Sequence, residues 1–134
     1  MSTDTLNKYN LTKFLDAHAS SYQRALKEIK NGKKVSCWMW YIFPIIDGLR
    51  KSKTSKYYSI KSLKEAKEYM ENETLRNHLL EISEALLQLN SNDPLAVMGY
   101  PDDSKLQSSM TLFSIAVPEE LVFQKVLDKY FQGK

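Results

Sequence analysis

The amino-acid sequence predicts a mainly α-helical protein, a single compact domain of about five helices around one core. The chain has 134 residues, which suffices for one domain with one buried core. Several segments repeat apolar residues at intervals of three and four, as one face of a helix does. Only four Gly and four Pro are present, which argues against a fold of many tight turns. Residues 1–10 are predicted to be a flexible N-terminus, and residues 11–134 are predicted to form the helical domain.

The first predicted helix begins near Leu11 and ends at Asn31-Gly32, with Asn10 as its N-terminal cap. Its apolar face consists of Leu11, Phe14, Leu15, Tyr22, Ala25, Leu26 and Ile29. His18 lies in the middle of this face. We therefore expect His18 to be a hydrogen-bonded core residue, although a histidine in this position also suits a pocket.

An aromatic segment follows the first helix. Residues 38–44 read Trp-Met-Trp-Tyr-Ile-Phe-Pro, which fits either a buried strand or a short buried helix. Cys37, directly before it, is expected to be a small buried residue. Residues 45–49 are predicted to add one helical turn, and residues 50–61 are predicted to form a loop.

Capping residues indicate three helices in the middle of the chain. Ser62-Leu63-Lys64-Glu65 is a capping box, which predicts a helix over residues 63–71. A second helix is predicted over residues 74–90, where five apolar residues recur at helical spacing and His78 is expected at the surface. Residues 93–99 read as a third helix, with an Asp-Pro start and a glycine stop.

Two further helices are predicted near the C-terminal end. Asp102 or Asp103 is expected to cap the first of them, whose apolar stripe is Leu106, Met110, Phe113 and Val117. Val117-Pro118-Glu119-Glu120 is predicted to start the last helix, because proline and acidic residues favour a first turn. Its apolar side consists of Leu121, Val122, Val126, Leu127, Tyr130 and Phe131, and Gly133 is expected to end it.

Several classes of protein are excluded by what the sequence lacks. It carries none of the standard phosphate-loop, dinucleotide, zinc-protease or serine-hydrolase motifs. One Cys and two His residues do not supply a disulfide framework or a conventional zinc site, so neither a metal nor a cofactor is predicted. There is no apolar run of about 18 residues and no secretory signal, so we expect a cytoplasmic protein without a membrane partner.

Charge is distributed unevenly along the chain. Residues 1–64 hold 13 Lys/Arg and 4 Asp/Glu, whereas residues 65–134 hold 6 Lys/Arg and 12 Asp/Glu. The basic stretch, as we call it, consists of Arg50, Lys51, Lys53, Lys56, Lys61 and Lys64, with Tyr57 and Tyr58 inside it. Lysines with interleaved tyrosines suit nucleic-acid phosphates and bases. The ordinary alternative is a solvated loop that keeps the chain in solution.

The segment around Asp102 combines residues suited to an anionic ligand. Lys105, Ser108 and Ser109 share one face of the predicted helix, close to its N-terminus, where a phosphate or a carboxylate is favoured. Asp102 and Asp103 are candidate catalytic residues, which would orient sugar hydroxyls or accept a proton. The alternative is that these residues are a cap and ordinary surface groups.

Trp38 and Trp40 are candidates for a ligand-stacking wall. Packing in the core is the default role of such aromatic residues, and alternate members of the run can divide between the core and a cleft.

Two segments give the chain a family resemblance. Ser-Cys-Trp-Met-Trp-Tyr-Ile-Phe-Pro at residues 36–44 and Pro-Asp-Asp-Ser-Lys-Leu-Gln-Ser-Ser-Met-Thr-Leu-Phe at residues 101–113 resemble the domain-of-unknown-function family numbered 1810. Some of its members carry a calpastatin label, which the foldable composition of this chain does not support. The resemblance extends over about residues 11–133. It implies a mainly α-helical fold and no established activity. The family often differs at Cys37 and at His18, so it implies no mechanism through either residue.

Two hypotheses of different kinds follow, and the sequence leaves open whether the protein is an enzyme. The first is a site that binds or hydrolyses a nucleotide-like or ADP-ribose-like molecule, made from the Asp–Lys–Ser helix face and the two tryptophans. The second is a non-enzymatic module that binds a protein or a nucleic acid through the basic stretch. The first requires the two segments to meet around one hollow; the oligomeric state is not predicted.

Overall fold

The computed structural model describes residues 11–48 and 53–132, and these residues form eight α-helices. The helices are α1 Thr12–Lys30, α2 Met39–Ile42, α3 Lys53–Tyr58, α4 Leu63–Glu71, α5 Glu73–Leu87, α6 Pro94–Met98, α7 Asp102–Ala116 and α8 Val122–Phe131. The predicted helical class is confirmed. The predicted number of about five is too low, because the aromatic segment forms the short helix α2 and the predicted loop contains the short helix α3.

The long helices pack around one apolar core. Helix α1 packs on α5, α4 packs on both α5 and α7, and α8 lies against α5 and α7. The largest side chains sealed in this core include Phe14, Tyr22, Trp38, Tyr69 and Phe113. Among the described residues the only β pairing is an isolated parallel bridge between Ile46 and Ile60.

Side-chain caps set the predicted boundaries of the middle helices. Ser62 Oγ accepts a hydrogen bond from the Glu65 amide at 3.1 Å, which starts α4 as the capping box predicts. The Glu65 carboxylate binds the amide of Lys61, one residue before the cap, at 2.6 Å. Asp93 caps α6 through the amide of Leu95, and Gly99 ends it with a φ of 80°.

The structure corrects the predictions for the segment between the aromatic run and α4. Residues 53–58, predicted as loop, form helix α3. No helical turn follows residue 45; instead Ile46 pairs with Ile60, and residues 47 and 48 form a turn. Cys37 is exposed rather than buried. The predictions of a flexible N-terminus over residues 1–10 with Asn10 as a cap, and those for Leu49 to Lys51 and for Gly133, concern positions outside the described residues.

The two C-terminal helices also start differently from the prediction. Neither aspartate caps α7, whose N-terminal cap residue is Pro101, because Asp102 is engaged by lysine side chains instead. Helix α8 begins at Val122, because residues 117–120 make the turn that brings α8 back onto α7. Leu121, predicted to be apolar core, is consequently exposed.

His18 is a core residue, as expected, and it contacts a second histidine. Its Nε2 lies 2.7 Å from the Tyr41 carbonyl oxygen, which can only accept, so Nε2 carries the proton. Nδ1 therefore accepts a hydrogen bond from His78 Nδ1 at 2.9 Å. His78 was expected at the surface but is half-buried and stacked on the ring of Tyr22 at 3.7 Å.

This environment makes folding dependent on pH. Burial lowers the pKa of His18 from 6.5 to about 4, and His78 adds to this effect, whereas the hydrogen bond to Tyr41 opposes it. The unfolded chain therefore binds more protons than the folded chain between these two values. The contribution of the neutral His18 ring to the free energy of unfolding is complete above pH 6.5 and is lost as the pH falls towards 4.

We expect the protonation of His18 to remove about 3 kcal/mol from the unfolding free energy of the wild-type protein as the pH falls through this window, since one pKa unit corresponds to about 1.4 kcal/mol. His18→Gln keeps a donor for the Tyr41 carbonyl but does not titrate, so its stability should change much less with pH. Urea unfolding at several pH values measures both. His78→Gln is the control that retains the His18 titration. Equal pH dependence in wild type and His18→Gln would contradict this assignment.

Candidate functional site

The carboxylate of Glu28 holds the loop that carries one half of the candidate site. It accepts hydrogen bonds from the amides of Val35 and Ser36 at 2.7 and 2.9 Å and from Ser36 Oγ at 2.6 Å. The indole N–H of Trp38 donates to the same carboxylate at 2.8 Å. Burial raises the pKa of Glu28, but these four hydrogen bonds outweigh it and lower the pKa to about 2. The loop between α1 and α2 is thus tied to α1.

Asp102, at the start of α7, joins this loop to the C-terminal part of the chain. Its Oδ2 lies 2.8 Å from Lys34 Nζ, and its Oδ1 lies 3.1 Å from Lys105 Nζ. All three side chains are largely shielded, with exposures of 9% for Lys34, 16% for Asp102 and 8% for Lys105. Two ammonium groups therefore face one carboxylate, and the cluster carries a net positive charge.

Trp40 forms one wall of the same region. The ammonium of Lys105 lies 3.5 Å from the centroid of a Trp40 ring, a close cation–π contact. A cavity of about 140 Å³, which we call the Trp40 cavity, is lined by Lys34, Cys37, Met39, Trp40, Asp102 and Lys105. The two segments predicted to form a site are therefore brought together here.

The other predicted site residues are not all in this cavity. Trp38 is sealed in the core, and its indole N–H is taken by Glu28. Ser108 lines a separate groove, with Leu63, Thr111 and Ile115. Ser109 is fully buried, and its Oγ has no hydrogen-bond partner in the part of the chain that the structure describes. Oδ1 of Asp103 is likewise buried and has no hydrogen-bond partner among the described residues. Asp103 as a whole is half-buried and is the chain neighbour of Asp102, which lines the cavity.

Sequence reasoning missed Lys34 and Cys37 as cavity residues. Lys34 follows a helix-ending glycine and reads as a surface lysine, and only the tertiary fold brings its ammonium to Asp102. Its amide also donates to the Val97 carbonyl at 2.7 Å, which fixes it against α6. The signal in the sequence was the proximity of Lys34 to the aromatic run.

The basic stretch is only partly visible in the structure. Arg50 and Lys51 are outside the described residues, and Lys53 and Lys56 are exposed on α3. Lys61 is engaged with the Lys56 carbonyl, Ser59 Oγ and Asp47.

Residues 11–48 and 53–132 contain neither a metal-binding cluster nor a membrane-spanning helix. No group of three or more His, Cys, Asp or Glu residues is placed to hold a metal ion there. No helix in these ranges has the length and apolar character needed to cross a membrane.

Comparison with known proteins places the chain in a family. The family model described as a protein of unknown function (DUF1810) matches residues 8–134. The chain belongs to this family. The crystal structure of the conserved hypothetical protein Rv1873 from Mycobacterium tuberculosis is similar to this DUF1810 chain, with a TM-score of 0.92 and 35% sequence identity. That similarity covers 95% of this chain and 91% of the other. No curated protein matches the chain.

We expect Glu28→Ala to destabilise this DUF1810 chain by about 1–3 kcal/mol, since it leaves the indole N–H of the buried Trp38 and the donors of the half-buried Ser36 without an acceptor. Chemical unfolding at neutral pH measures the loss. Glu84→Ala, which removes an exposed carboxylate whose one hydrogen bond among the described residues is to Gln88, is the matched control and should cost less than about 0.5 kcal/mol. Similar stabilities for the two variants would show that the Glu28 contacts do not hold the loop.

Proposed function

We propose that this protein binds a small anionic ligand of the nucleotide-like or ADP-ribose-like class, with the phosphate of the ligand in the Trp40 cavity. The observation that carries the proposal is the convergence of Lys34 and Lys105 on the single carboxylate of Asp102. A shielded positive charge without a counter-ion is unfavourable, and an anion entering the cavity would compensate it.

The size of the Trp40 cavity limits which part of the ligand it holds. Small-molecule pockets usually measure about 300–1,000 Å³, whereas this cavity measures about 140 Å³. It therefore suits a phosphate or a carboxylate group, and the sugar and base of a nucleotide would remain outside it. Stacking of a base on Trp40 requires Lys105 to leave the ring face that it now covers.

The geometry supports binding more directly than hydrolysis. Asp102 is held in two ion pairs, so it is suited to positioning the two lysines. Asp103 has a buried carboxylate oxygen without a hydrogen-bond partner among the described residues, which makes it the better candidate for accepting a proton. Hydrolysis through Asp102 or Asp103, with Ser108 and Ser109 as further ligand contacts, remains a prediction that product analysis would test.

The direct test is calorimetric titration with inorganic phosphate, AMP, ADP-ribose and NAD. We expect at least one phosphate-bearing ligand to bind and Lys105→Met and Lys34→Met each to weaken binding about tenfold or more, since each removes a charge-assisted contact.

Lys33→Met is the matched control, because Lys33 adjoins Lys34 but is exposed and lies outside the cavity lining. It should bind like wild type. Absence of binding up to about 10 mM of every ligand, an affinity too weak to be specific, would refute the proposal. So would equal affinities for Lys33→Met and Lys105→Met.

The alternative function, a module that binds a protein or nucleic acid through the basic stretch, is favoured by one feature. Lys53 and Lys56 are near Tyr57 on the exposed side of α3, and Tyr57 retains 53% of its accessible surface, as a residue that stacks on a base requires.

For this alternative we expect a labelled single-stranded oligonucleotide to bind in a salt-sensitive way, measured by fluorescence anisotropy. Lys51→Glu/Lys53→Glu/Lys56→Glu should abolish that binding and leave the helical circular dichroism unchanged. Binding that is insensitive to salt or unaffected in the triple variant would eliminate it.

A further inference from the structure

The C-terminal part of α1 and the turn after it carry a row of basic residues. This row, which we call the α1 basic row, consists of Arg24, Lys27, Lys30 and Lys33, all of them exposed. None of the four makes an ion pair with a residue of the described ranges. The acidic residues of α1 do not neutralise the row, because Glu28 is engaged by the following loop and Asp16 is about 12 Å along the helix from Arg24. The row therefore attracts negatively charged groups from solution.

The α1 basic row borders the Trp40 cavity. Arg24 shares one face of α1 with Ser21, three residues before it, and with Glu28, four residues after it. Ser21 Oγ accepts a hydrogen bond from the Tyr41 hydroxyl at 3.1 Å, and the same hydroxyl lies 3.3 Å from the carbonyl oxygen of Cys37. Cys37 lines the cavity. A ligand that leaves the cavity over Cys37 therefore meets Arg24.

An exposed aromatic residue lies close to the wall of the cavity that α7 provides. Tyr100 is two residues before Asp102 in the chain, so their Cα atoms are at most about 7.6 Å apart. It retains 86% of its accessible surface, the highest value among the exposed large hydrophobic residues of the described ranges. No lysine or arginine of these ranges lies over its ring, whereas Lys105 covers Trp40. Tyr100 is thus the aromatic surface that a base reaches without rearrangement.

We propose that the ligand of the Trp40 cavity is the phosphorylated end of a single-stranded nucleic acid. This inference rests on the proposed function and extends it. The terminal phosphate lies between Lys34 and Lys105, a base of the strand stacks on Tyr100, and the following phosphates contact the α1 basic row. Recognition by charge and stacking depends little on base sequence.

The size and charge of the cavity favour the end of a strand over its interior. A volume of about 140 Å³ has room for a phosphate but not for the two sugars that flank an internal phosphodiester. A terminal phosphate monoester also carries about 1.5 to 2 negative charges at neutral pH, so it compensates the two ammonium groups more fully than a diester does.

The surroundings of the cavity favour a strand over a mononucleotide or a duplex. A mononucleotide ends before it reaches Arg24 and Lys27, whereas a strand brings further phosphates to the α1 basic row. A duplex keeps its bases paired and stacked inside, so they are not available to an exposed ring such as Tyr100.

Fluorescence anisotropy with DNA strands of about six nucleotides tests the proposal, a length within the usual range of single-strand sites. A strand with a 5′-phosphate and a strand with a 3′-phosphate are each compared with the same strand ending in a hydroxyl group, with the dye on the far end. We expect one of the phosphorylated strands to bind about tenfold or more tighter than its hydroxyl match, because charge-assisted contacts are lost with the phosphate. The same strand should bind tighter than AMP.

Two pairs of lysine and arginine positions test the role of the α1 basic row. Arg24→Ala/Lys27→Ala should weaken binding of the phosphorylated strand about tenfold and make its salt dependence shallower by about 1.4, since each lost contact on a single strand contributes about 0.7 to the slope. Its affinity for AMP should not change. Lys53→Ala/Lys56→Ala, which removes two exposed lysines from α3, is the matched control and should bind the strand like wild type. Loss of binding in the α3 variant instead would overturn the inference in favour of the basic stretch.

Substitution of Tyr100 tests the stacking contact. Tyr100→Ala should weaken binding of the strand about tenfold, Tyr100→Phe should retain it, and neither should change the affinity for inorganic phosphate. Circular dichroism confirms that each variant is folded.

Three results would overturn the inference. They are equal affinities for phosphorylated and hydroxyl-ended strands, wild-type binding by Arg24→Ala/Lys27→Ala, and wild-type binding by Tyr100→Ala. Binding of AMP without tighter binding of a phosphorylated strand would also overturn it and would leave the proposed function standing. Absence of binding for every strand and every small phosphate ligand would refute both.

Discussion

The carboxylate of Glu28 is the contact on which the candidate site depends. One side chain near the end of α1 satisfies two backbone amides, a hydroxyl and an indole N–H of the following loop. These bonds fix the direction in which the chain enters α2. Because Trp38 is held inward by Glu28, Trp40, two residues later, is turned towards the cavity. The division of the tryptophan pair into one core ring and one cavity ring is therefore a consequence of a single acceptor.

Asp102 performs the corresponding role from the other end of the sequence. Its ion pair with Lys105 stays within α7, whereas its ion pair with Lys34 crosses to the loop after α1. The aspartate thus joins segments that are almost seventy residues apart and sets the spacing of the two ammonium groups. Lys105 is held a second time by the face of Trp40. The cluster is preorganised, so an incoming anion would not have to order flexible lysines before binding.

The helices that periodicity and caps identify, such as α4 and α6, could be predicted because the deciding groups are close together in the sequence. Ser62 caps α4 locally, and Asp93 does the same for α6. Helix α3 and the late start of α8 could not be predicted in this way, since packing against distant elements decides them. For the site, the meeting of the two segments was predictable as a hypothesis. Tertiary geometry alone decides three further features of the site. These are the presence of Lys34 in the cavity lining, the separation of Ser108 from Lys105, and the exposure of Cys37.

Because the Trp40 cavity is small, its volume and its charged lining together decide which chemical group of a ligand it can bind. Lys105 can donate to an anion in the cavity while it remains paired with Asp102, because an ammonium has three donors. A base stacking on Trp40 would instead have to replace the cation–π contact that Lys105 makes with that ring. The phosphate end of a ligand is thus recognised without rearrangement, and recognition of a planar base carries the additional cost of moving Lys105. The affinity for inorganic phosphate, compared with the affinity for AMP, therefore measures how much stacking on the Trp40 ring contributes to binding.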